Sequence, residues 1–347
     1  MAAEAQAQAY VPTDADFKLK NNTDDIAIDN NFGAQSYWKE VRKKFFHNKG
    51  AVVGLVFVII LTVFAIVGPM MTPYGYAEQT NGKNLAPRIP GIENLGIFDG
   101  HETMVTSTGT KTVNGYAQNK LYSTFYWFGT DKYGRDIFTR TWTGARVSLI
   151  IAVAAAIIDM VIGMSYGLIS GYFGGRTDMI MQRILEVANG IPRLVVVTLL
   201  LLILKPGMIT IIFALMLTEW IGMARIARAE MLKLKEQEFV LASKTLDAGS
   251  FFIIFKEILP NIIGPIITQV MFSIPTAIFT EAFLSFVGLG IPVPQCSLGS
   301  LISEGYNSFT THPYQIIPPI IVMALLMLSF NLIADGLREA LDPKIKE

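Results

Sequence analysis

Long apolar runs constrain the fold of this chain of 347 residues more than any other feature. The first run, Ala51 to Met71, consists almost entirely of aliphatic residues, Phe and Gly. At a rise of about 1.5 Å per residue, a helix over this run can cross a hydrocarbon core of about 30 Å. Only 16% of the residues are charged, whereas soluble proteins average roughly a quarter. The sequence therefore predicts an all-α integral membrane protein.

Five more apolar runs bring the predicted number of transmembrane helices to six. They are Val147 to Tyr172, Leu194 to Leu204, Met208 to Met223, Ile262 to Leu289 and Ile316 to Ile333. A loop is predicted after the second span, and it holds Gly174, Gly175, Arg176, Asp178 and Arg183. The amphipathic stretch Met179 to Val187 is predicted to continue into the third helix with a kink at Pro192, and Pro265 and Pro275 are predicted to kink the fifth.

Basic residues determine the predicted orientation. Five of them form a cluster directly before the first span, namely Lys39, Arg42, Lys43, Lys44 and Lys49. The positive-inside rule therefore places the N-terminus in the cytoplasm, and six spans return the C-terminus to the same side. The N-terminal segment has no apolar signal-peptide core, so the first span is expected to serve as a retained targeting signal.

These predictions divide the chain into five parts. They are a cytoplasmic N-terminal tail (1–50), the first transmembrane helix (51–71), an extracytoplasmic insertion and connector (72–140), a five-helix core (141–337) with a cytoplasmic loop at 225–262, and a cytoplasmic tail (338–347). Polar and turn-forming residues fill 72–126. Within this insertion, the alternation from Thr103 to Val113 predicts a β hairpin.

Composition and motifs argue against nucleic-acid binding and catalysis. Lys plus Arg equals Asp plus Glu, at 28 each, so no global charge attracts a polyanion. The single cysteine, Cys296, is expected to be an inert loop thiol, and the three histidines lie too far apart in sequence to suggest a metal centre. Gly129 and Gly134 have phosphate-loop spacing, but Arg135 and Asp136 stand where Lys and Ser or Thr would grip phosphate and magnesium. No catalytic residue is expected.

The cytoplasmic loop contains the clearest candidate for a contact with another protein. Residues Glu236 to Ser250 predict two short helices that meet at a turn. Small Ala242 and Ser243 lie among larger apolar residues, a composition that suits a helix seated in a partner's groove. A basic amphipathic helix lying on the membrane surface is the alternative.

This loop resembles that of the bacterial ABC importer permeases, whose pattern is Glu-Ala-Ala, three residues, Gly, nine residues, Ile, one residue and Leu-Pro. The pattern falls on Leu241-Ala242-Ser243, Asp247, Glu257 and Leu259-Pro260, with the Glu, the second Ala, the Gly and the Ile replaced. Three further blocks resemble the second permease of dipeptide and oligopeptide importers. They are Phe128 to Asp136 continuing to Gly144 to Leu149, Glu281 to Gly290, and Phe330 to Pro343.

The resemblance implies a type I ABC importer permease fold and a non-catalytic subunit that imports oligopeptides by alternating access. The implied partners are a homologous second permease, two cytoplasmic ATPase subunits that bind ATP and Mg, an extracellular peptide-binding lipoprotein, the lipid bilayer and the peptide itself. The implied location is the bacterial cytoplasmic membrane, with both termini cytoplasmic. Dipeptides, peptide pheromones and nickel are alternative cargoes.

In this family the helix that corresponds to 237–250 docks on an ATPase subunit. The candidate docking residues are Glu238, Phe239, Leu241, Ala242, Ser243, Leu246, Asp247 and Gly249. Asp247 stands where the family has Gly, and Gly249 is predicted to supply the left-handed residue of the turn instead.

Polar side chains inside the predicted spans are candidate functional residues, because a charge at the bilayer centre costs roughly 2.5 to 3.5 kcal/mol. Asp159, Gln269, Glu281 and Asn331 are predicted to line the transport pathway or to contact the second permease. An acid that reaches the membrane interface is the alternative for Glu281. Glu219 lies near the end of its predicted span and is interpreted as structural.

Three charged residues before the second span are candidates for the outer mouth of the pathway. Asp131, Arg135 and Asp136 are candidates to gate this mouth or to contact the binding protein, but a local salt bridge or turn is the expected role of Arg135 and Asp136. A secondary transporter driven by an ion gradient is the rival function. It would show an inverted repeat and charged or broken helices at the midplane, and neither is evident in the sequence.

Overall fold

The computed structural model describes residues 37–106 and 109–342. The described residues 37–40, the first turn of a helix, belong to a separate N-terminal unit. The chain from Val41 onward forms the second unit. The helices in chain order are α1 (Tyr37–His47), α2 (Lys49–Val67), α3 (Gly115–Gln118), α4 (Ile137–Ile158), α5 (Met164–Phe173), α6 (Gly175–Gly190), α7 (Arg193–Ile203), α8 (Met208–Thr218), α9 (Trp220–Leu234), α10 (Glu238–Thr245), α11 (Ser250–Phe252), α12 (Leu259–Phe286), α13 (Leu298–Tyr306) and α14 (Ile317–Leu341).

Five helical segments of the described chain are long and apolar enough to cross a membrane, and the number is six if one bent helix pair counts as a single span. The five are Lys49–Met70, Ile137–Phe173, Met208–Leu234, Ser250–Phe286 and Pro313–Leu341. The bent pair consists of α6 and α7, which are separated by Ile191 and Pro192. The bend between the two helices is 80°. The predicted all-α membrane fold and the bend at Pro192 are confirmed. Pro265 and Pro275 lie inside α12, which continues through both.

Three predicted boundaries are wrong. The second span begins at Ile137 rather than Val147, because Asp136 caps α4 at that point. The predicted loop after the second span is largely helical and forms α6. The fourth span continues to Leu234, so the loop predicted from Arg225 is much shorter. The positive charge of Arg228 in this longer span is tolerated because its side chain is paired. The guanidinium of Arg228, on α9, donates two hydrogen bonds of 2.6 and 2.5 Å to the carboxylate of Asp178, on α6.

The insertion after the first span contains the predicted β hairpin. Its strands, β1 (His101–Thr106) and β2 (Gly109–Asn114), pair antiparallel with His101 opposite Asn114. Leu85, Tyr116 and Tyr126 form a small buried cluster within the insertion. The insertion therefore has a hydrophobic centre of its own, separate from the core of the bundle.

A stripe of glycines brings α5 against α9. Gly163, Gly167 and Gly171 recur at every fourth position and therefore lie on one face of the helix. A methyl group at Gly167 would overlap the backbone carbonyl oxygen of Ala224. Lipid tails are as apolar as the side chains they replace, so membrane helices depend on such close approach for their association.

A helix that the sequence did not predict, α13, lies between the last two spans. Ser297 caps it reciprocally: its hydroxyl accepts the backbone N–H of Ser300 at 3.1 Å, and its own N–H donates to the Ser300 hydroxyl at 2.8 Å. This capping box satisfies backbone groups that the first turn of a helix otherwise leaves unpaired.

Candidate functional site

The α10 helix presents apolar side chains to its surroundings. Leu246, directly after the helix, is 83% exposed, and Phe239 and Leu241 are exposed as well. Val240 is fully buried and fixes the helix to the core cluster of the bundle. An apolar surface on a helix of eight residues indicates a site that a protein or membrane surface covers.

All eight predicted docking residues lie on α10 or in the turn that follows it. Glu238, Phe239, Leu241, Ala242, Leu246, Asp247 and Gly249 are exposed, and Ser243 is half-buried. The docking assignment itself stays a prediction.

The turn after α10 is a Schellman motif closed by Asp247. The N–H of Asp247 donates to the carbonyl of Lys244 at 3.0 Å, and the N–H of Ala248 donates to the carbonyl of Ser243 at 3.0 Å. Asp247 has a left-handed backbone with φ of 58°, whereas Gly249 is extended with φ of −63° and ψ of 147°. The prediction that Gly249 supplies the left-handed residue is therefore wrong. Asp tolerates this conformation better than most residues.

Two contacts connect α10 to the transmembrane helices. Val240 packs in the same buried cluster as Ile253 and Ile254, which lie in the π-helical segment that leads into α12. The ammonium of Lys244 lies 5.5 Å from the centre of the Tyr172 ring at the end of α5. The α10 helix is therefore in contact with two spans.

Glu281 is sealed inside the chain by three serine hydroxyls. Ser297 and Ser285 donate to one carboxylate oxygen at 2.5 and 2.7 Å, and Ser148 donates to the other at 3.1 Å. The side chain has no exposed surface, so the prediction that Glu281 lines the pathway or contacts the second permease is wrong. The interfacial alternative is wrong for the same reason.

Asp159 is also withdrawn from the surface. It is 3% exposed and lies in a π-helical segment between α4 and α5, so the prediction of a pathway position is wrong for it too. Gln269 and Asn331 are half-buried. Gln269 lines a cleft of about 500 Å³ between α9, α12 and α14, together with Lys233 and Arg338. Their roles stay predictions.

An intramembrane ion pair was missed by the sequence analysis. The Nη1 atom of Arg193 lies 2.8 Å from Oε1 of Glu219. Arg193 begins α7, and Glu219 separates α8 from α9 in the middle of the span Met208–Leu234. Charged residues thus lie at broken helices, a feature that was not evident in the sequence. An arginine beside a proline in an apolar region was the available signal.

The three residues predicted at the outer mouth form a buried local network. Arg135 pairs with Asp131 at 2.6 Å and with Glu304, on α13, at 2.7 Å. Asp136 caps α4 by accepting the N–H of Thr139 at 2.9 Å, and burial raises the pKa of its carboxyl group. Since all three predicted residues are buried, a role as exposed contacts at the outer mouth is wrong. The expected local salt bridge of Arg135 is observed, and Asp136 lies in the cap that begins α4.

Cys296 packs against this network. Its thiol is buried and donates to the backbone carbonyl of Arg140 at 3.4 Å. Burial raises the pKa of this thiol to about 11, so it is protonated at neutral pH. Among the described residues, no group of three or more His, Cys, Asp or Glu side chains is arranged to hold a metal ion.

Comparison with known families identifies two matching regions. The model of the family described as binding-protein-dependent transport system inner membrane component matches residues 163–347. A model of the N-terminal transmembrane domain of oligopeptide transport permease C matches residues 36–87.

Curated relatives match along most of the chain. The oligopeptide transport system permease protein OppC of Bacillus subtilis (strain 168) is 42% identical over 312 residues, which are 90% of this chain and 91% of that protein. The dipeptide transport system permease protein DppC of Lactococcus lactis subsp. cremoris (strain MG1363) is 43% identical over 320 residues, with coverage of 90% and 92%. OppC of Escherichia coli (strain K12) is 32% identical, with coverage of 94% and 96%.

A solved structure has the same fold. A chain of the MetNI methionine ABC transporter in an inward-facing conformation matches with a TM-score of 0.50 at 16% identity, covering 58% of this chain and 96% of that one. The type I ABC importer permease fold is thereby confirmed. The chain is a multi-pass protein of the bacterial inner membrane, and it belongs to the family of binding-protein-dependent transport system inner membrane components, the permease subunits of ABC importers.

Proposed function

We propose that this permease carries peptides into the cell as one of two homologous permease subunits, with two ATPase subunits and an extracellular peptide-binding lipoprotein. The named cargoes of the relatives, oligopeptides and dipeptides, support a peptide cargo. Peptide pheromones are a special case of the same chemistry. Nickel, a metal ion, is an alternative cargo of a different chemical class.

The exposed apolar surface of α10 carries the mechanistic part of the proposal. Leu241, Leu246 and Phe239 are exposed on α10 or directly after it, and docking on an ATPase subunit would cover apolar side chains of this kind. Because Val240 and Lys244 connect α10 to α12 and α5, closure of the ATPase dimer on ATP would move these spans. A change from a 1:99 to a 99:1 ratio of inward to outward states needs about 5.5 kcal/mol of differential affinity.

Charge supports a cytoplasmic position for the α10 end of the bundle. Lys233 and Lys235 precede α10, and Arg338 lies in the last turn of α14. The positive-inside rule assigns such clusters to the cytoplasm, so both termini are cytoplasmic and the insertion faces the binding protein. ATP and Mg are bound by the ATPase subunits, and this chain contributes the pathway without catalytic residues.

The pathway runs between this chain and the second permease. We assign its cytoplasmic part to the cleft lined by Gln269, Lys233 and Arg338, and Asn331 to the wall formed by α14. A cleft of about 500 Å³ with mixed polar and apolar walls suits cargo with a constant backbone and variable side chains. Selection among peptides then falls mainly to the binding protein.

Uptake by proteoliposomes that contain the complete complex tests this function. With ATP enclosed, we expect accumulation of di- and tripeptides, no accumulation of nickel, and loss of uptake when the ATPase subunits are inactivated. Uptake that persists with inactive ATPase subunits and follows an ion gradient would establish the rival secondary transporter. Nickel uptake without peptide uptake would show that the cargo is nickel and not peptides.

A further inference from the structure

Arg193 brings a partly exposed guanidinium group to the middle of the membrane-spanning region. It follows the 80° bend between α6 and α7. Its Nη1 contacts Glu219 at 2.8 Å and donates to the hydroxyl of Thr280, on α12, at 3.0 Å. One side chain thus connects the bend, the α8–α9 junction and the fifth span.

The acids near Arg193 lie deeper in the protein than the guanidinium does. The side chain of Arg193 is 41% exposed, that of Glu219 only 12%. Asp159, which acts electrostatically on Glu219, is 3% exposed. The accessible group of this cluster is therefore the cation, although the cluster contains two acids and one base.

Exposure of a charge at this depth requires a polar environment. A guanidinium facing lipid tails at mid-membrane is strongly unfavourable, so such residues face a bundle interior or a water-filled cavity. In a complex of two permeases the polar space at this depth is the pathway between them. This pathway is therefore the polar space that the exposed guanidinium of Arg193 would face.

The remaining donors of Arg193 define the ligand. Nε and Nη2 make no hydrogen bond or ion-pair contact within residues 37–106 and 109–342. Two N–H groups in one plane match the two oxygens of a carboxylate. Every linear peptide with a free C-terminus carries one terminal carboxylate whatever its sequence.

We propose that Arg193 binds the C-terminal carboxylate of a peptide in transit. This inference rests on the proposed peptide cargo. Because Glu219 already offsets part of the charge of Arg193, the contact is weak enough for the peptide to leave, which a transport site requires. Arg193 thereby distinguishes free peptides from those with a blocked C-terminus.

Transport of trialanine and of trialanine amide by the reconstituted complex tests the proposal. Each peptide is loaded on the binding protein beforehand, and the rate is expressed per loaded binding protein. The wild-type complex is expected to move the free acid about tenfold faster than the amide, the effect of one hydrogen bond between charged groups. R193Q is expected to slow the free acid alone and to bring the two rates together.

R183Q is the matched control, because Arg183 lies on α6 and, among the described residues, pairs only with exposed Glu186 at 2.6 Å. It should keep the wild-type ratio. If R193Q does not assemble, R193K is the deciding variant, because lysine keeps the charge but not the planar pair of donors. A reduced ratio of the free-acid rate to the amide rate in R193K supports the proposal, and an unchanged ratio overturns it. An equal slowing of both peptides in R193Q would show a structural role and overturn it. Absence of transport of either peptide by the wild-type complex would contradict the peptide cargo itself, and the inference with it.

Discussion

The hydroxyl of Ser297 donates a 2.5 Å hydrogen bond to the carboxylate of Glu281. The same hydroxyl accepts the N–H of Ser300 at the start of α13. One atom therefore connects the buried acid of the fifth span to the cap of a helix outside it. This arrangement fixes α13 against α12.

Removal of this connection should destabilise the protein. Ser297→Ala removes a helix cap and one donor to a buried carboxylate, so we expect a loss of about 1 to 3 kcal/mol in the free energy of unfolding. Denaturation of the purified complex by SDS measures it. Ser303→Ala, in the same helix, is the control, since the Ser303 hydroxyl makes no hydrogen bond within the described part of the chain. Equal stability of the two variants would contradict the role of Ser297.

Substitution of Asp247 by glycine should stabilise the turn after α10. Asp247→Gly removes the steric penalty of a left-handed residue, so we expect the turn to gain about 1 kcal/mol. Asp247→Val should weaken it and reduce retention of the ATPase subunits. Gly249→Ala should have little effect, because Gly249 has φ of −63° and an added methyl group meets no atom within 4 Å. Loss of retention in Gly249→Ala with none in Asp247→Val would reverse the assignment of the turn.

The glycine stripe on α5 predicts a strict size limit. Gly167→Ala places a methyl group against the backbone of Ala224, and overpacking of this kind costs about 1 to 3 kcal/mol. A fall in thermal stability of the purified complex measures it. Gly222→Ala is the matched control on α9, because its methyl group meets no atom within 4 Å. Tolerance of both substitutions would show that α5 and α9 are less tightly packed than described.

Labelling of single cysteines tests the proposed orientation. The wild-type protein should not react with maleimide, because Cys296 is buried and its thiol pKa is about 11. Tyr122→Cys, exposed on the insertion, should react with an impermeant maleimide on intact cells. Thr177→Cys, exposed at the start of α6, should react only after permeabilisation. The reverse labelling pattern would show that the protein has the opposite orientation in the membrane.

The sequence predicted features that depend on local chemistry. Apolar runs such as Ala51 to Met71 identify spans because a bilayer demands length and hydrophobicity. The bend at Pro192 follows from a ring that cannot continue a helix. The docking role of α10 rests on the family resemblance, since its composition alone equally suited a membrane-surface helix.

Features that depend on distant contacts were missed. The environment of Glu281 needs Ser148 and Ser297, which are far apart in the chain. Glu219 was placed near the end of a span because Arg225 and later charges looked incompatible with a membrane helix. Asp178 pairs with Arg228 across two helices, and such a partner cannot be read from one segment alone.

Retention of ATPase subunits by an Ala242→Glu variant tests the docking of α10. Ala242 is exposed on α10, and a buried unpaired carboxylate would oppose seating in a groove. Tyr122→Glu, on the exposed insertion, is the control. We predict that Ala242→Glu purifies without ATPase subunits and that Tyr122→Glu retains them. Full retention and normal peptide uptake by Ala242→Glu would contradict the docking of α10 on the ATPase.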